Sequence, residues 1–193
     1  MKKKIKEIPS VAELETELRR VNYQRRYNTV LKSTVYTLIT VAAIAVLVAT
    51  LWLPVLQIYG SSMTPTLQDG EIVFSVKTSN MKKGDIIAFY YNNKILIKRV
   101  IANSGDWVNM DKDGTVYVND QELSEPYLTE KSYGDADIEF PYQVPDGKIF
   151  VMGDHRATSA DSRHTVVGCV SSEQIVGKIA FRVWPLEQFG MVE

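Results

Sequence analysis

Two neighbouring hydroxyls are the first side chains in this sequence that could do chemistry. Ser61 and Ser62 stand in the stretch of residues 60–67, where Pro65 fixes its own φ and biases Thr64 toward an extended conformation. A stiff segment of this kind can hold a serine in one orientation. A serine attacks only when a base accepts its proton, so the base decides between a catalytic stretch and an ordinary turn.

The candidate bases are two histidines and one lysine. His155 and His164 lie in a polar, arginine-rich loop, where either is equally an ordinary surface residue. A lysine acts as a base only when it is neutral, and burial favours its neutral form. The alternation of a strand places Lys98 between Leu96 and Val100 on one face, which is the required apolar setting. The competing interpretation is a lysine that caps a strand end and extends into solvent.

Two other classes of serine enzyme are not supported by the motifs. Gly-x-Ser-x-Gly is absent, because the second residue after Ser62 is Thr64. Ser79 and Lys82 form a Ser-x-x-Lys, but the Lys-Thr-Gly and Ser-Asp-Asn motifs that accompany it in penicillin-binding enzymes are missing.

The sequence also argues against metal chemistry. Residues 111–122 have the length of an EF-hand loop, but Val116 stands where that loop requires glycine. The single cysteine, Cys169, forms no internal disulfide and no multi-cysteine zinc site, and we expect it to be a small buried apolar residue. We predict no cofactor and no metal.

A membrane anchor is predicted near the N-terminus. Residues 33–56 carry no charged side chain, and as a helix of about 1.5 Å per residue they cross a hydrocarbon core of about 30 Å. The apolar run is longer than that of a cleavable signal peptide. Residues 1–33 hold nine Lys or Arg against four Glu, so we expect a cytoplasmic N-terminus and an outer domain, and no nucleic-acid binding.

The remainder of the chain reads as a mostly β fold. β-branched and aromatic runs alternate with turn residues, and two hairpins are predicted, one at Asn92-Asn93 and one at Asp113-Gly114. In the second hairpin, Val108 and Met110 face Val116 and Val118. The predicted organisation is a cytoplasmic basic arm (1–32), a transmembrane helix (33–56) and an extracytoplasmic catalytic domain (57–193), with an inserted, non-catalytic β excursion at about 107–147.

Four sequence boxes resemble, in order and spacing, those of bacterial type I signal peptidases. The match covers the anchor and essentially all of the outer domain. The boxes are Ser62-Met63-Thr64-Pro65-Thr66-Leu67, Gly84-Asp85-Ile86, Lys98-Arg99-Val100-Ile101-Ala102 with Gly105-Asp106, and Gly153-Asp154-His155-Arg156 with Ser159-Ala160-Asp161-Ser162-Arg163.

The resemblance implies a single-pass membrane serine endopeptidase that removes signal peptides from exported preproteins on the outer face of a bacterial membrane. It implies Ser62 as nucleophile, Lys98 as general base and Ser159 as the hydroxyl that orients the amine. The oxyanion hole would use the Ser62 backbone N–H, and the second donor's place is Gly60, where some members carry a hydroxyl. His155 stands at a position that the family does not need for proton transfer.

Two further sets of residues are predicted. We expect Arg99 with Asp154, and Asp161 with Arg163, to form ion pairs that shape the site. The substrate would bind extended, adding to strands near Ile58 and Ala88, and small residues before the cut would enter shallow apolar pockets. The candidate pocket residues are Ile58, Met63, Leu67, Ala88 and Ile97.

Three alternatives stay open from the sequence. One is a dedicated processing peptidase for a few substrates such as pilins, and another is an inactive anchored binding homologue. The third, a self-cleaving repressor of the LexA type, is disfavoured by the apolar run of residues 33–56. The predicted partners are preproteins with signal peptides and membrane lipid.

Overall fold

The chain begins with one long helix. A computed structural model describes residues 10–52 and 54–192. Helix α1 runs from Val11 to Trp52. It opens with a capping box, in which the Ser10 hydroxyl accepts the Glu13 N–H at 3.4 Å and the Glu13 carboxylate accepts the Ser10 N–H at 2.9 Å.

Helix α1 is long and apolar enough to cross a membrane, with a mean hydropathy of 1.9 in its most apolar window. It is continuous through the boundary predicted at residues 32 and 33, because neither glycine nor proline interrupts residues 11–52. The helix ends at Trp52 and residues 55–57 form a strand. The predicted span, which runs to Leu56, therefore extends beyond the helix.

The chain divides into two compact units between Val48 and Ala49. The described residues of the second unit form short strands and turns, which confirms the mostly β fold. The strands are β1 Val55–Gln57, β2 Ile72–Val76, β3 Ile86–Tyr91, β4 Lys94–Ala102, β5 Trp107–Met110, β6 Val116–Val118, β7 Gln121–Glu122, β8 Tyr142–Gln143, β9 Lys148–Met152, β10 Val170–Ser171, β11 Ile175–Trp184 and β12 Gly190–Met191.

The larger sheet has the strand order β1-β2-β11-β3-β4-β9-β10, and β12 also pairs with β11. Strands β3 and β4 form the hairpin predicted at Asn92-Asn93, with Ile87 opposite Lys98. Strand β9 pairs with β4 only from Arg99 to Ala102. The first half of β4, residues 94–98, therefore has one edge without a neighbouring strand in the described part of the chain.

The smaller sheet has the order β7-β6-β5-β8 and lies in the predicted excursion. Its central hairpin turns at Gly114, whose φ of +92° is one that glycine adopts readily. Val108 pairs with Val118 and Met110 with Val116, as the alternation predicted. These four side chains are buried in one apolar cluster with Phe150 of β9 and its neighbours.

The two faces of β3 pack against two apolar clusters. Ile86 and Ala88 belong to the first, together with Met63 and Leu67 from the serine-containing turn. Ile87 and Phe89, on the other face, belong to the second. The serine turn is thus anchored on the larger sheet by its own apolar side chains.

Candidate functional site

The serine stretch folds as a tight turn. The Thr64 N–H donates to the Ser61 carbonyl at 3.1 Å, and the Leu67 N–H donates to the Met63 carbonyl at 2.9 Å. Within this turn, Met63 and Leu67 are fully buried, whereas Ser62 is half-buried. The apolar anchors leave the Ser62 hydroxyl accessible and fix its backbone.

Lys98 reaches this hydroxyl from β4. Its Nζ lies 2.6 Å from Ser62 Oγ, which is hydrogen-bond distance. The lysine is buried, and desolvation lowers its pKa from 10.5 to about 8, although the charges of Asp161 and Asp154 oppose this shift. Of the described carboxylates, none lies within ion-pair distance of the amine. The structure therefore places a readily deprotonated amine against a serine.

Among the described residues, neither histidine ring forms a hydrogen bond with the Ser62 hydroxyl. The exposed ring of His155 is 2.6 Å from the Thr158 hydroxyl through Nδ1. What His155 contributes to the site is its backbone N–H, which donates to the Ser62 carbonyl at 3.1 Å.

The two predicted ion pairs are present and buried. Arg99 donates from Nε and Nη2 to the two carboxylate oxygens of Asp154, at 2.9 and 2.8 Å. Arg163 donates in the same way to Asp161, at 2.9 and 3.0 Å. Burial alone would raise the pKa of Asp161, but the hydrogen bonds and charge of Arg163 hold that pKa below its usual range.

Ser159 lies close to Ser62, but its hydroxyl has no partner of ordinary geometry among the described residues. It is near enough to the Asp161 carboxyl to help lower the pKa of that group. A Cβ at Gly153 would clash with the Ser159 side chain and lie 2.5 Å from the Ser62 carbonyl oxygen. The orienting role of Ser159 toward Lys98 stays a prediction, since the structure gives no hydrogen bond between them.

The predicted oxyanion donors differ in availability. The Ser62 N–H has no acceptor in the described residues, so it is free to bind an oxyanion. Gly60, with φ +86°, donates its N–H to the Asp69 carboxylate at 2.6 Å. An oxyanion at Gly60 would have to displace this carboxylate, so the structure does not support Gly60 as the second donor.

An open cleft of about 720 Å³ begins at Ser62 and Lys98. It runs between the two sheet edges formed by β1 and the first half of β4, and Ile58, Met63 and Ile97 line it as predicted. Leu67 and Ala88 do not line it. Both are fully buried in the cluster beneath, so the structure does not support them as pocket residues.

A second group of interacting side chains near the site was not predicted. The buried Glu125 carboxylate and the half-buried Tyr127 come from the excursion, and Arg156 lies in the loop of residues 153–163. Arg156 falls inside a sequence box, which was a usable signal. Glu125 is one of many acids between residues 119 and 147, and nothing local to the sequence separates it from the exposed ones.

This geometry allows the Ser62 hydroxyl to act as a nucleophile and pass its proton to the Lys98 amine. The described residues contain no group of side chains that could hold a metal ion, and no histidine bonds to this hydroxyl. The chain combines a β-rich unit that carries Ser62 and Lys98 with an apolar N-terminal helix. These features define its class as a serine hydrolase with a helix that can anchor it in a membrane.

Comparison with known proteins agrees with this class. The family model described as "Signal peptidase, peptidase S26" matches residues 31–184. Signal peptidase IB of Staphylococcus aureus strain Mu50 is 40% identical, over 68% of this chain and 78% of the relative. Signal peptidase I of Streptococcus pneumoniae serotype 4 is 32% identical, over 69% and 83% respectively.

Among solved structures, a signal peptidase I from Enterococcus faecalis V583 is 31% identical and covers 51% of this chain and 96% of its own, with a TM-score of 0.44. On the sequence matches, the chain belongs to the signal peptidase family, peptidase S26. It is accordingly a serine endopeptidase.

Proposed function

We propose that the protein removes signal peptides from exported preproteins, with Ser62 as nucleophile and Lys98 as general base. The observation that carries this proposal is the 2.6 Å separation between Lys98 Nζ and Ser62 Oγ in a buried environment. A neutral amine at this distance accepts the hydroxyl proton as the oxygen attacks.

The reaction proceeds in two halves. Ser62 Oγ attacks the scissile carbonyl carbon while its proton passes to Lys98, and the free Ser62 N–H donates to the oxyanion. The C–N bond then breaks, the leaving amine takes the proton from the Lys98 ammonium, and an acyl ester on Ser62 remains. Lys98 next accepts a proton from water, whose oxygen attacks the ester carbonyl carbon. The C–Oγ bond then breaks, Ser62 Oγ takes the proton back from the Lys98 ammonium, and the signal peptide leaves as a carboxylic acid.

The cleft supports an extended substrate beside Ile58, one of the two predicted places, but not at the strand of Ala88. Ala88 lies on β3, which pairs with β11 on one side and β4 on the other, so a peptide has no free edge there. Free edges lie instead at β1, which pairs only with β2, and at residues 94–98 of β4. A peptide between these edges forms main-chain hydrogen bonds and ends at Ser62.

The N-terminal helix gives the proposed location. Nine basic residues against four acids in residues 1–33 favour a cytoplasmic N-terminus for a single-pass helix. The unit that carries Ser62 then lies on the outer face, where signal peptides of exported proteins emerge.

The test is cleavage of a preprotein by the detergent-solubilised chain. We expect the wild type to release a signal peptide, and the Ser62→Ala and Lys98→Ala variants to release none. Ser61→Ala is the matched control, because this adjacent serine is exposed and the amine's hydrogen bond goes to Ser62, and it should remain active. A wild type that binds the preprotein without cleaving it would contradict the proposal and identify an inactive binding homologue.

A further inference from the structure

One buried carboxylate of the predicted excursion, that of Glu125, binds Arg156 in the loop of residues 153–163. The side chains of Glu125 and Arg156 are 1% and 0% exposed and form an ion pair. Arg156 Nη1 donates to Glu125 Oε2 at 3.1 Å, and Nη2 donates to Oε1. The Tyr127 hydroxyl also donates to Glu125 Oε1, at 2.8 Å. Glu125 is thus held by two partners in a dry position.

Arg156 transmits this constraint to the backbone around the nucleophile. Its Nε donates to the Gly153 carbonyl at 3.1 Å. Two residues further on, the His155 N–H donates to the Ser62 carbonyl at 3.1 Å. Gly153 itself packs so closely on Ser62 that a Cβ there would lie 2.5 Å from the same carbonyl oxygen. The guanidinium therefore fixes the segment against which Ser62 rests.

Tyr127 provides a second connection, to the strand that carries the amine. The Arg99 guanidinium lies over the Tyr127 ring, 3.9 Å from its centroid. Arg99 directly follows Lys98 on β4 and donates to both carboxylate oxygens of Asp154 through Nε and Nη2. Burial raises the pKa of Tyr127, so its hydroxyl stays protonated and remains a donor to Glu125.

We propose that Glu125 is a positioning residue for the peptidase reaction, and that the excursion is part of the catalytic scaffold. This inference rests on the proposed Ser62–Lys98 chemistry. A buried ion pair adds little net stability compared with apolar packing, but a carboxylate bound to a guanidinium fixes both groups in one geometry. The geometry fixed here is that of Arg156 on the Gly153 carbonyl.

The experiment compares Glu125→Gln with Glu122→Gln in preprotein cleavage by the full-length chain in detergent. Glu122 is the matched control, since it lies on the same excursion and pairs with Lys131 but is 59% exposed. For Glu125→Gln we expect kcat to fall by about tenfold or more, with KM within about twofold of wild type. The reason is that a small displacement of Ser62 slows the chemical step more than it weakens substrate binding. Glu122→Gln should leave both unchanged.

A second variant separates positioning from folding. Glu125→Gln leaves the Arg156 charge buried, so the double variant Glu125→Gln/Arg156→Met removes that charge and should restore the melting temperature. We expect its kcat to stay low, since nothing then holds the Gly153 carbonyl.

Three results would overturn the inference. They are a folded Glu125→Gln variant with wild-type kcat, a double variant that recovers both melting temperature and kcat, and a double variant that fails to fold. A wild-type chain that cleaves no preprotein would instead show that the proposed function itself is wrong.

Discussion

Lys98 and Arg99 are consecutive residues of β4 and both are 3% exposed, yet their charges have opposite environments. Arg99 donates to both carboxylate oxygens of Asp154. Lys98 has no described carboxylate at ion-pair distance, and its amine lies against the Ser62 hydroxyl. The alternation of the strand directs the two cations to opposite faces, and only Arg99 meets a described carboxylate at ion-pair distance.

The difference shows what burial does to a cation with and without a partner. Arginine cannot be deprotonated in a protein, so a buried arginine requires an anion and serves as scaffold. A buried lysine without a paired anion loses its proton more easily, and the pKa of Lys98 falls to about 8. Neighbouring positions with equal burial thus give one structural cation and one candidate base.

The largest expected effect is the loss of activity in Lys98→Met. Removing the base should lower kcat/KM for a preprotein by about 10³-fold or more, because general base and nucleophile act as a unit. Lys83→Met, at a partly exposed lysine paired with Asp106, is the control and should retain full activity. Retention of more than about a tenth of the activity in Lys98→Met would exclude Lys98 as the base.

The next effect is on stability and concerns the paired cation. Arg99→Met leaves the Asp154 carboxylate buried and unpaired, so the free energy of unfolding should fall by about 3–5 kcal/mol. Urea unfolding of the detergent-solubilised chain measures this, and Arg99→Met/Asp154→Asn should recover most of the loss. If the free energy of unfolding of Arg99→Met falls by less than about 1 kcal/mol, the ion pair behaves as one exposed to solvent.

Lys98→Met should change stability in the opposite direction. At pH 7 the native lysine is charged and buried, and lowering its pKa from 10.5 to about 8 corresponds to a cost of at most about 3 kcal/mol. We expect the variant to gain about 1–3 kcal/mol at pH 7. The cost is complete below the folded pKa and disappears as the pH rises towards 10.5, so the gain should vanish there.

The smallest effect is expected for the exposed histidine beside the site. His155→Ala keeps the backbone N–H that donates to the Ser62 carbonyl and removes only the ring beside Thr158. Activity should stay within about twofold of wild type, as for most exposed positions. A loss similar to that of Lys98→Met would assign the base to the imidazole.

Much of this site could be predicted because its residues lie in periodic or clustered patterns. The alternation of β4 made Lys98 a candidate base, and the boxes at residues 98–102 and 153–163 contain the members of both ion pairs. The hairpins predicted at Asn92-Asn93 and Asp113-Gly114 both form, between β3 and β4 and between β5 and β6.

What could not be predicted depends on contacts distant in the sequence. Leu67 and Ala88 were placed in the substrate pocket, but the packing of the serine turn on β3 buries both. Pairing on both sides of β3, which local patterns do not reveal, removes the edge expected near Ala88. The partner of Glu125 lies across the fold at Arg156, so no spacing in the acidic excursion marks it.

The role of Lys98 as base is tested by the pH dependence of kcat/KM for preprotein cleavage by the wild-type chain. We expect the rate to rise with pH as Lys98 loses its proton, with an apparent pKa of about 8 and an alkaline optimum. A flat profile between about pH 6 and pH 10, or a rise only near the ordinary pKa of an exposed lysine, would contradict it.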